Sequence, residues 1–128
     1  MTDAVLSNKD VVAKFIAIVF NGHHVDEGAE ACIGPTYRQH NPDVADGRDA
    51  FIASFKDFFA QHPQSTFDVK RMFEEGDHVT VHAHWKFHPD DRGYAVMDIF
   101  RLENGKIVEH WDAVQPIPET LAHSNTMF

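Results

Sequence analysis

The sequence predicts an α+β fold with helices in its first half and an antiparallel sheet in its second half. Apolar residues recur at helical spacing as far as residue 61, and from residue 66 onward they alternate with a period of two. The links between the alternating segments are too short for a crossover connection, so these strands must pair as antiparallel hairpins. A chain of 128 residues is expected to form one domain, residues 1–128, with the helices layered on the sheet.

The first predicted helix covers Asn8–Phe20, with Ser7 as its N-cap and Asn21-Gly22 as its end. Its apolar residues fall on one stripe, made of Val11, Val12, Phe15, Ile16 and Val19. This stripe is expected to face the sheet.

Two further helices are predicted on either side of a short strand. The second helix covers Asp26–Ile33, with Asp26 as its cap and Gly34-Pro35 as its stop, and a brief strand over Thr36–His40 follows. The third helix covers Arg48–Gln61 and carries an aromatic stripe typical of core packing, made of Phe51, Ile52, Phe55, Phe58 and Phe59.

Four strands are predicted in the second half of the chain. They are Thr66–Phe73, Val79–Phe87, Tyr94–Leu102 and Lys106–Gln115. Turn residues separate them, namely Glu75-Gly76, Asp90-Asp91-Arg92-Gly93 and Asn104-Gly105. Residues from Glu119 onward are predicted to form a tail.

Composition excludes several classes of function. The net charge of −9 and the scattered positions of the 11 basic residues disfavour binding to nucleic acid. The longest apolar run, Phe15–Phe20, is too short to span a bilayer, and no targeting signal precedes it, so a soluble cytoplasmic protein is expected. Because Cys32 is the only cysteine, an internal disulfide and a thiolate zinc site are both excluded.

Strand alternation assigns side chains to the two faces of the sheet. In the strand starting at Val79, the apolar set should meet the helices while His82 and His84 point away. In the next strand the inner set includes Asp98, where desolvation disfavours the charged form and suits a general acid or base. The alternative is a buried aspartate held by backbone N–H groups or by Arg101.

The register of the last hairpin decides which residue faces Asp98. A three-residue loop, Glu103-Asn104-Gly105, places His110 opposite Asp98, and this register is preferred. A two-residue Asn104-Gly105 turn would instead place Trp111 there, because a slip of one residue exchanges the two faces.

The motifs described so far resemble those of the SnoaL-like polyketide cyclase family, within the group that has the nuclear-transport-factor-2-like, or cystatin-like, fold. The segments that carry the resemblance are Tyr37-Arg38-Gln39-His40-Asn41-Pro42, Ala45-Asp46-Gly47, Glu75-Gly76-Asp77, Asp98-Ile99-Phe100-Arg101 and residues 104–112. The resemblance implies a cone-shaped curved antiparallel sheet around one pocket, a homodimer through the outer sheet face, and aldol-type cyclisation without a cofactor. It also implies that Asp98 is the acid/base.

A second comparison, with ketosteroid isomerases of the same fold group, concerns the remaining pocket residues. Their pocket-lining alternation matches His110, Asp112 and Val114. Their catalytic base corresponds to Asn41, which cannot abstract a proton, and their helix tyrosine corresponds to Phe15. Both departures count against steroid isomerase chemistry.

Three other histidines are candidate ligands or catalysts. His82 and His84 form a possible metal pair on one strand face, but the helical first half disfavours the all-β metal sites that use such a pair, and no metal is predicted. His84 precedes Asp98 by a spacing similar to that of a histidine in some cyclases, and a bulge before Tyr94 would turn it inward. His40 is predicted to point into the pocket, where it could polarise a carbonyl together with Tyr37; the alternative is a histidine that caps the neighbouring turn.

The sequence thus supports an enzyme that moves a proton next to the carbonyl group of a small apolar or aromatic ligand. Asp98, His110 and His40 are the predicted catalytic residues. The predicted pocket residues are Tyr37, Asn41, Phe55, Phe59, His84, Trp85, Phe100, Asp112 and Val114. The alternative is a non-catalytic ligand-binding or dimerisation module with the same pocket.

Overall fold

The computed structural model describes residues 5–128 and confirms the α+β fold. The helices are α1 (Asn8–Phe15), which continues as a π-helical segment (Ile16–Asn21), α2 (Val25–Cys32) and α3 (Arg48–Gln61). The strands are β1 (Ile33–Gln39), β2 (Thr66–Glu75), β3 (His78–Lys86), β4 (Tyr94–Glu103) and β5 (Lys106–Pro116).

The first helix begins as predicted but changes its winding. The Ser7 hydroxyl accepts the Asp10 backbone N–H at 3.0 Å, which is the expected cap. From Ile16 the helix widens to π geometry, a feature that often marks functional sites. At its end the Asn21 side chain donates to the Phe67 carbonyl (2.9 Å) and accepts the Phe67 N–H (2.8 Å), so its amide substitutes for a neighbouring strand beside β2.

The second helix lies within one residue of its predicted range at each end, but its predicted cap and its predicted stop were wrong. Helix α2 starts at Val25 with His24 at the cap. Asp26 lies in its first turn, where a carboxylate interacts favourably with the helix dipole. Gly34-Pro35 does not stop a helix but belongs to β1, which follows α2 without a loop.

The sheet has the order β1-β5-β4-β3-β2. Strands β2 to β5 pair antiparallel as predicted, whereas β1 pairs parallel with β5, so the sheet is not wholly antiparallel. The parallel pairing brings Gln39 beside His110, with the His40 backbone N–H donating to the His110 carbonyl at 3.0 Å. The end of β1 therefore lies next to the middle of β5.

The core lies between the inner face of the sheet and the helices. Val79, Val81 and Ala83 of β3 are 0% exposed, as the alternation predicted for this face. Phe15 of α1 packs against Phe51 of α3 and Phe100 of β4 with ring centroids 5.7 and 5.9 Å apart. Aromatic packing of this kind holds the helices against the curved sheet.

The register of the last hairpin differs from both sequence-based alternatives. The turn is the two-residue one, with φ of 52° at Asn104 and 74° at Gly105, as a type I′ turn requires. A bulge then inserts one extra residue in β5, because Leu102 pairs with Ile107 while Arg101 pairs with Glu109. The preferred three-residue loop was therefore wrong. The bulge nevertheless turns to the inner face the same residues of β5 that this loop would have placed there.

As a result of the bulge, Asp98 pairs with Asp112, and His110 pairs with Phe100. Trp111 pairs with Ile99 on the outer face, not with Asp98. Asp98 and His110 are diagonal neighbours on the inner face, a position from which long side chains still reach each other.

Candidate active site

A cavity of about 460 Å³ lies between the sheet and the helices, within the size range of small-molecule sites. Its wall is mainly aromatic. Helix α3 contributes Phe51, Phe55 and Phe58, and the sheet contributes Phe67, Trp85, Tyr94 and Phe100. Such a wall suits a flat, apolar ligand.

Polar side chains from three neighbouring strands interrupt this wall. They are Tyr37, Gln39 and Asn41 at the end of β1, Asp98 on β4, and His110 and Asp112 on β5. The order β1-β5-β4 explains why these residues meet, since β5 lies between the other two strands.

Asp98 and His110 form a buried hydrogen-bonded pair. His110 Nε2 lies 2.8 Å from Asp98 Oδ1. His110 is 8% exposed and Asp98 is 5% exposed. His110 Nδ1 lies 2.8 Å from Gln39 Oε1, so both ring nitrogens have partners. Among the hydrogen bonds of residues 5–128, none involves Asp98 Oδ2, which leaves this oxygen free for a ligand.

Asp112 lies next to the Asp98–His110 pair. Asn41 Nδ2 donates to Asp112 Oδ1 (2.8 Å) and Oδ2 (3.0 Å), and His110 Nε2 is 3.9 Å from Asp112 Oδ2. Burial raises the pKa of Asp112. The charge of His110 opposes this shift, and the charge of Asp98 adds to it. Asn41 thus orients a carboxylate; as an amide it is not itself a base.

Tyr37 is available as a hydrogen-bond donor to a ligand. Burial raises the pKa of Tyr37 far above its ordinary value, so the phenol keeps its proton. Its oxygen lies 3.1 Å from Gln39 Nε2, which donates to it. The hydroxyl hydrogen is then free to point into the cavity.

His40 was predicted to enter the pocket, and the structure places it on the other side of the sheet. Its Nε2 lies 2.7 Å from Glu109 Oε2, and its ring stacks on Trp111 at 4.9 Å. This hydrogen bond lowers the pKa of Glu109. Burial opposes the shift, and Arg101 lowers the pKa further. Alternation along β1 explains the error, because Tyr37 faces inward and a residue three positions later faces outward.

Two other predicted pocket residues also lie outside the cavity wall. His84 is on the outer face, where its ring stacks on Phe128 at 4.6 Å and its Nε2 contacts the Arg92 carbonyl at 2.8 Å; no bulge turns it inward. Phe59 is buried behind the wall, stacked on His23 at 4.2 Å. On the same helix, Phe58 lines the cavity instead.

The structure brings the remaining predicted residues to one cavity. They are Tyr37, Asn41, Phe55, Trp85, Asp98, Phe100, His110, Asp112 and Val114. Gln39, which hydrogen-bonds both Tyr37 and His110, is absent from the residues predicted for the pocket. The alternation from Tyr37 to Asn41 would have indicated it, since both neighbours at two-residue spacing face the pocket.

Asp98, His110 and Asp112 also have the spacing of metal ligands, with one donor atom from each lying within 4.8 Å of the others. Hydrogen bonds already reach all three of these side chains, although Asp98 Oδ2 has none among the described residues. His110 Nε2 bonds Asp98, and Asn41 holds both oxygens of Asp112. A metal at His110 Nε2 would have to replace the hydrogen bond to Asp98.

The pKa of Asp112 predicts a pH-dependent stability. Because its pKa is raised in the folded protein, its contribution to stability is fully present below the unfolded value of about 4 and is lost as pH rises through the folded value. Asp112→Asn removes this loss. The variant is therefore expected to gain unfolding free energy relative to the parent as pH rises from about 4 to 7.

Urea denaturation of both proteins at several pH values measures this difference. Asp68→Asn, which changes an exposed aspartate paired with Lys70, is the control and should show no comparable gain. A difference that stays constant or shrinks with rising pH would contradict the assignment of Asp112 as a carboxylate whose ionisation is disfavoured.

The amino-acid sequence matches a known family over most of its length. Residues 12–110 match the family described as the SnoaL-like domain, and the chain belongs to this family. Among proteins with curated descriptions, none matches the sequence.

Solved structures share the fold at low sequence identity. TsrD from Streptomyces laurentii has a TM-score of 0.69 and 18% identity, covering 88% of this chain and 91% of that one. A protein from Acidithiobacillus ferrooxidans, provisionally described as a polyketide cyclase, gives the same values: TM-score 0.69, 18% identity and coverage of 88% and 91%. An NTF2-like protein from Cytophaga hutchinsonii has a TM-score of 0.74 and 16% identity, covering 90% and 96%.

Within residues 5–128, the helices are all too short or too polar to cross a membrane.

Proposed function

We propose that the protein catalyses cofactor-independent acid/base chemistry next to a carbonyl group, as an aldol-type cyclase or an isomerase-like enzyme. The observation that carries this proposal is the buried Asp98–His110 pair, which presents a free carboxylate oxygen to an aromatic cavity. A carboxylate in such surroundings is a suitable general base.

In the proposed reaction, Asp98 Oδ2 takes a proton from the carbon beside the carbonyl. The electron pair of that C–H bond forms the enolate, whose oxygen accepts a hydrogen bond from the Tyr37 hydroxyl. The enolate carbon then either attacks a second carbonyl in the same molecule, whose oxygen takes the proton from Asp98 as the C–C bond forms, or receives the proton back at another position. His110 holds Asp98 Oδ1 throughout and orients the carboxylate.

The substrate class follows from the cavity wall. The aromatic side chains favour a flat apolar or aromatic compound, and the polar residues of β1, β4 and β5 favour a carbonyl group at one end. The provisional description of the Acidithiobacillus ferrooxidans relative as a polyketide cyclase agrees with such a compound.

Deuterium exchange tests the proposal without knowledge of the natural substrate. Aryl ketones and aryl β-diketones are incubated in D₂O with the protein, and loss of the α-proton is followed by NMR. Exchange above the buffer rate, persisting in the presence of a chelator, is expected. A co-purified ligand that is released unchanged, with no exchange across the panel, would favour a non-catalytic binding module.

We also propose that two copies pair through the outer face of the sheet. Phe73, Met97 and Ile99 are 63%, 48% and 39% exposed, and the register places Phe73, Ile99 and Trp111 in one row across this face. Exposed apolar side chains in a contiguous patch are typical of interfaces. Sedimentation should show a dimer that Met97→Glu converts to monomer; a monomeric parent protein would contradict this pairing.

A further inference from the structure

We propose that Gln39 is a positioning residue that fixes the tautomer of His110 and so keeps one additional proton in the Asp98–His110 pair. The inference concerns the same pair as the proposed function, and its catalytic consequence rests on that function. The tautomer itself does not, because it follows from hydrogen-bond geometry alone.

The first step is the orientation of the Gln39 amide. One end of this amide lies 3.0 Å from the backbone nitrogen of Asn41, which can only donate. That end must therefore be the oxygen, Oε1. The Nε2 end then faces the Tyr37 hydroxyl oxygen at 3.1 Å and donates to it.

The second step concerns His110 Nδ1, which lies 2.8 Å from the same Gln39 oxygen. An amide oxygen has no hydrogen to give, so Nδ1 must carry the proton in this bond. A neutral imidazole with its proton on Nδ1 has a lone pair at Nε2.

The third step concerns the other side of the ring. Nε2 lies 2.8 Å from Asp98 Oδ1, and two lone pairs would repel each other at this distance. A second proton must lie between them. The pair is then either imidazolium with carboxylate or neutral imidazole with carboxylic acid, and its total charge is zero in both forms.

Without an acceptor at Nδ1, the pair has a different ground state. His110 would carry its single proton on Nε2 and donate it to the Asp98 carboxylate, so the pair would hold one proton fewer and carry a charge of −1. Gln39 Oε1, 2.8 Å from Nδ1, accepts the Nδ1–H hydrogen bond and so stabilises the form of the pair that holds the additional proton. Gln39 therefore selects the neutral pair over the pair of charge −1.

The same amide also directs Tyr37. Because Gln39 Nε2 donates to the phenol oxygen, the hydroxyl hydrogen is left for a ligand. Gln39 thus sets the proton position on both polar groups that the proposed reaction uses, although it does not itself exchange a proton.

Two substitutions separate the acceptor role of the Gln39 side chain from its donor role. Gln39→Met keeps the length of the side chain and removes the acceptor and the donor. Gln39→Glu keeps an acceptor for His110 and for the Asn41 N–H but has no donor for Tyr37. The signals of His110 are identified by their absence from a His110→Gln spectrum.

The measurement is ¹⁵N NMR of the histidine rings in the free protein. We expect a protonated Nδ1 at His110 in the parent protein and in Gln39→Glu, and an unprotonated Nδ1 with a protonated Nε2 in Gln39→Met. An unprotonated Nδ1 in the parent or in Gln39→Glu overturns the proposal, as does a protonated Nδ1 in Gln39→Met. If Gln39→Met does not fold, the other two spectra still decide.

Kinetics test the catalytic consequence. With a substrate that undergoes exchange, Gln39→Met is expected to lower kcat by a factor on the order of 10² with little change in KM, because proton transfer and not binding is affected. An unchanged kcat would overturn this consequence. If the parent protein shows no exchange at all, the proposed function fails while the NMR result on the tautomer still stands.

Discussion

Replacement of Asp98 by asparagine is expected to slow α-proton exchange by about 10²–10⁴-fold, the contribution of a general acid or base. The substitution removes the basic oxygen and changes little else. Asparagine has nearly the same size, and its amide can still hydrogen-bond His110 Nε2, which lies 2.8 Å from Oδ1 in the parent protein. The loss should therefore appear in kcat and not in the fold.

The exchange assay in D₂O, run beside thermal denaturation, measures both properties. Asp68→Asn serves as the matched control, because it makes the same chemical change at an exposed carboxylate outside the cavity wall. Full activity of Asp98→Asn would remove Asp98 from the mechanism. Loss of activity together with loss of cooperative unfolding would show a structural role only, and this result would also contradict the assignment.

Replacement of His110 by leucine is expected to destabilise the protein by about 3–5 kcal/mol, the usual effect of removing one partner from a buried pair. Asp98 would then keep its burial and lose the hydrogen bond to Oδ1. The remaining partner of Gln39 Oε1, the Asn41 N–H, is not disturbed by this change. The destabilisation should therefore come mainly from Asp98.

A double substitution checks this reason. Asp98→Leu combined with His110→Leu replaces the whole pair by apolar groups, and the double variant is expected to be more stable than His110→Leu alone. His78→Leu is the control, because His78 forms a 2.7 Å pair with Asp77 on the surface, where such pairs contribute about 0–1 kcal/mol. Urea unfolding curves give the three differences. Equal losses for His110→Leu and His78→Leu would show that burial of the pair has no energetic effect.

Much of the site could be predicted from alternation along single strands. The period of two placed Asp98 on the inner face of β4 and His82 on the outer face of β3, because the pleat sends successive side chains to opposite sides. The same rule applied to β1 would have placed Gln39 on the same face as Tyr37 and His40 on the outer face. His40 was misplaced because it was expected to enter the pocket at the turn of Asn41-Pro42, whereas its side chain follows the alternation of β1 and lies on the outer face.

The register of the last hairpin was beyond the reach of local rules. Asn104-Gly105 forms the two-residue turn that its composition favours, and this turn alone would place Trp111 beside Asp98. The bulge between Ile107 and Glu109 reverses that outcome, and the bulge depends on packing: Ile107 and Val108 are both buried although they are adjacent in sequence. Burial on two sides of one strand requires neighbours that only the assembled fold supplies.

The sequence by itself therefore determined the fold class, the helices and strands to within a few residues, the family, and the inner face that carries Asp98. Each of these depends on interactions between residues close in the chain or on a pattern repeated along it. The tertiary structure alone decided that β1 lies parallel to β5 and that Gln39 meets His110 across 71 residues of chain. Contacts at such separation depend on how the whole sheet closes around its core, and the proton positions of the candidate site depend on those contacts.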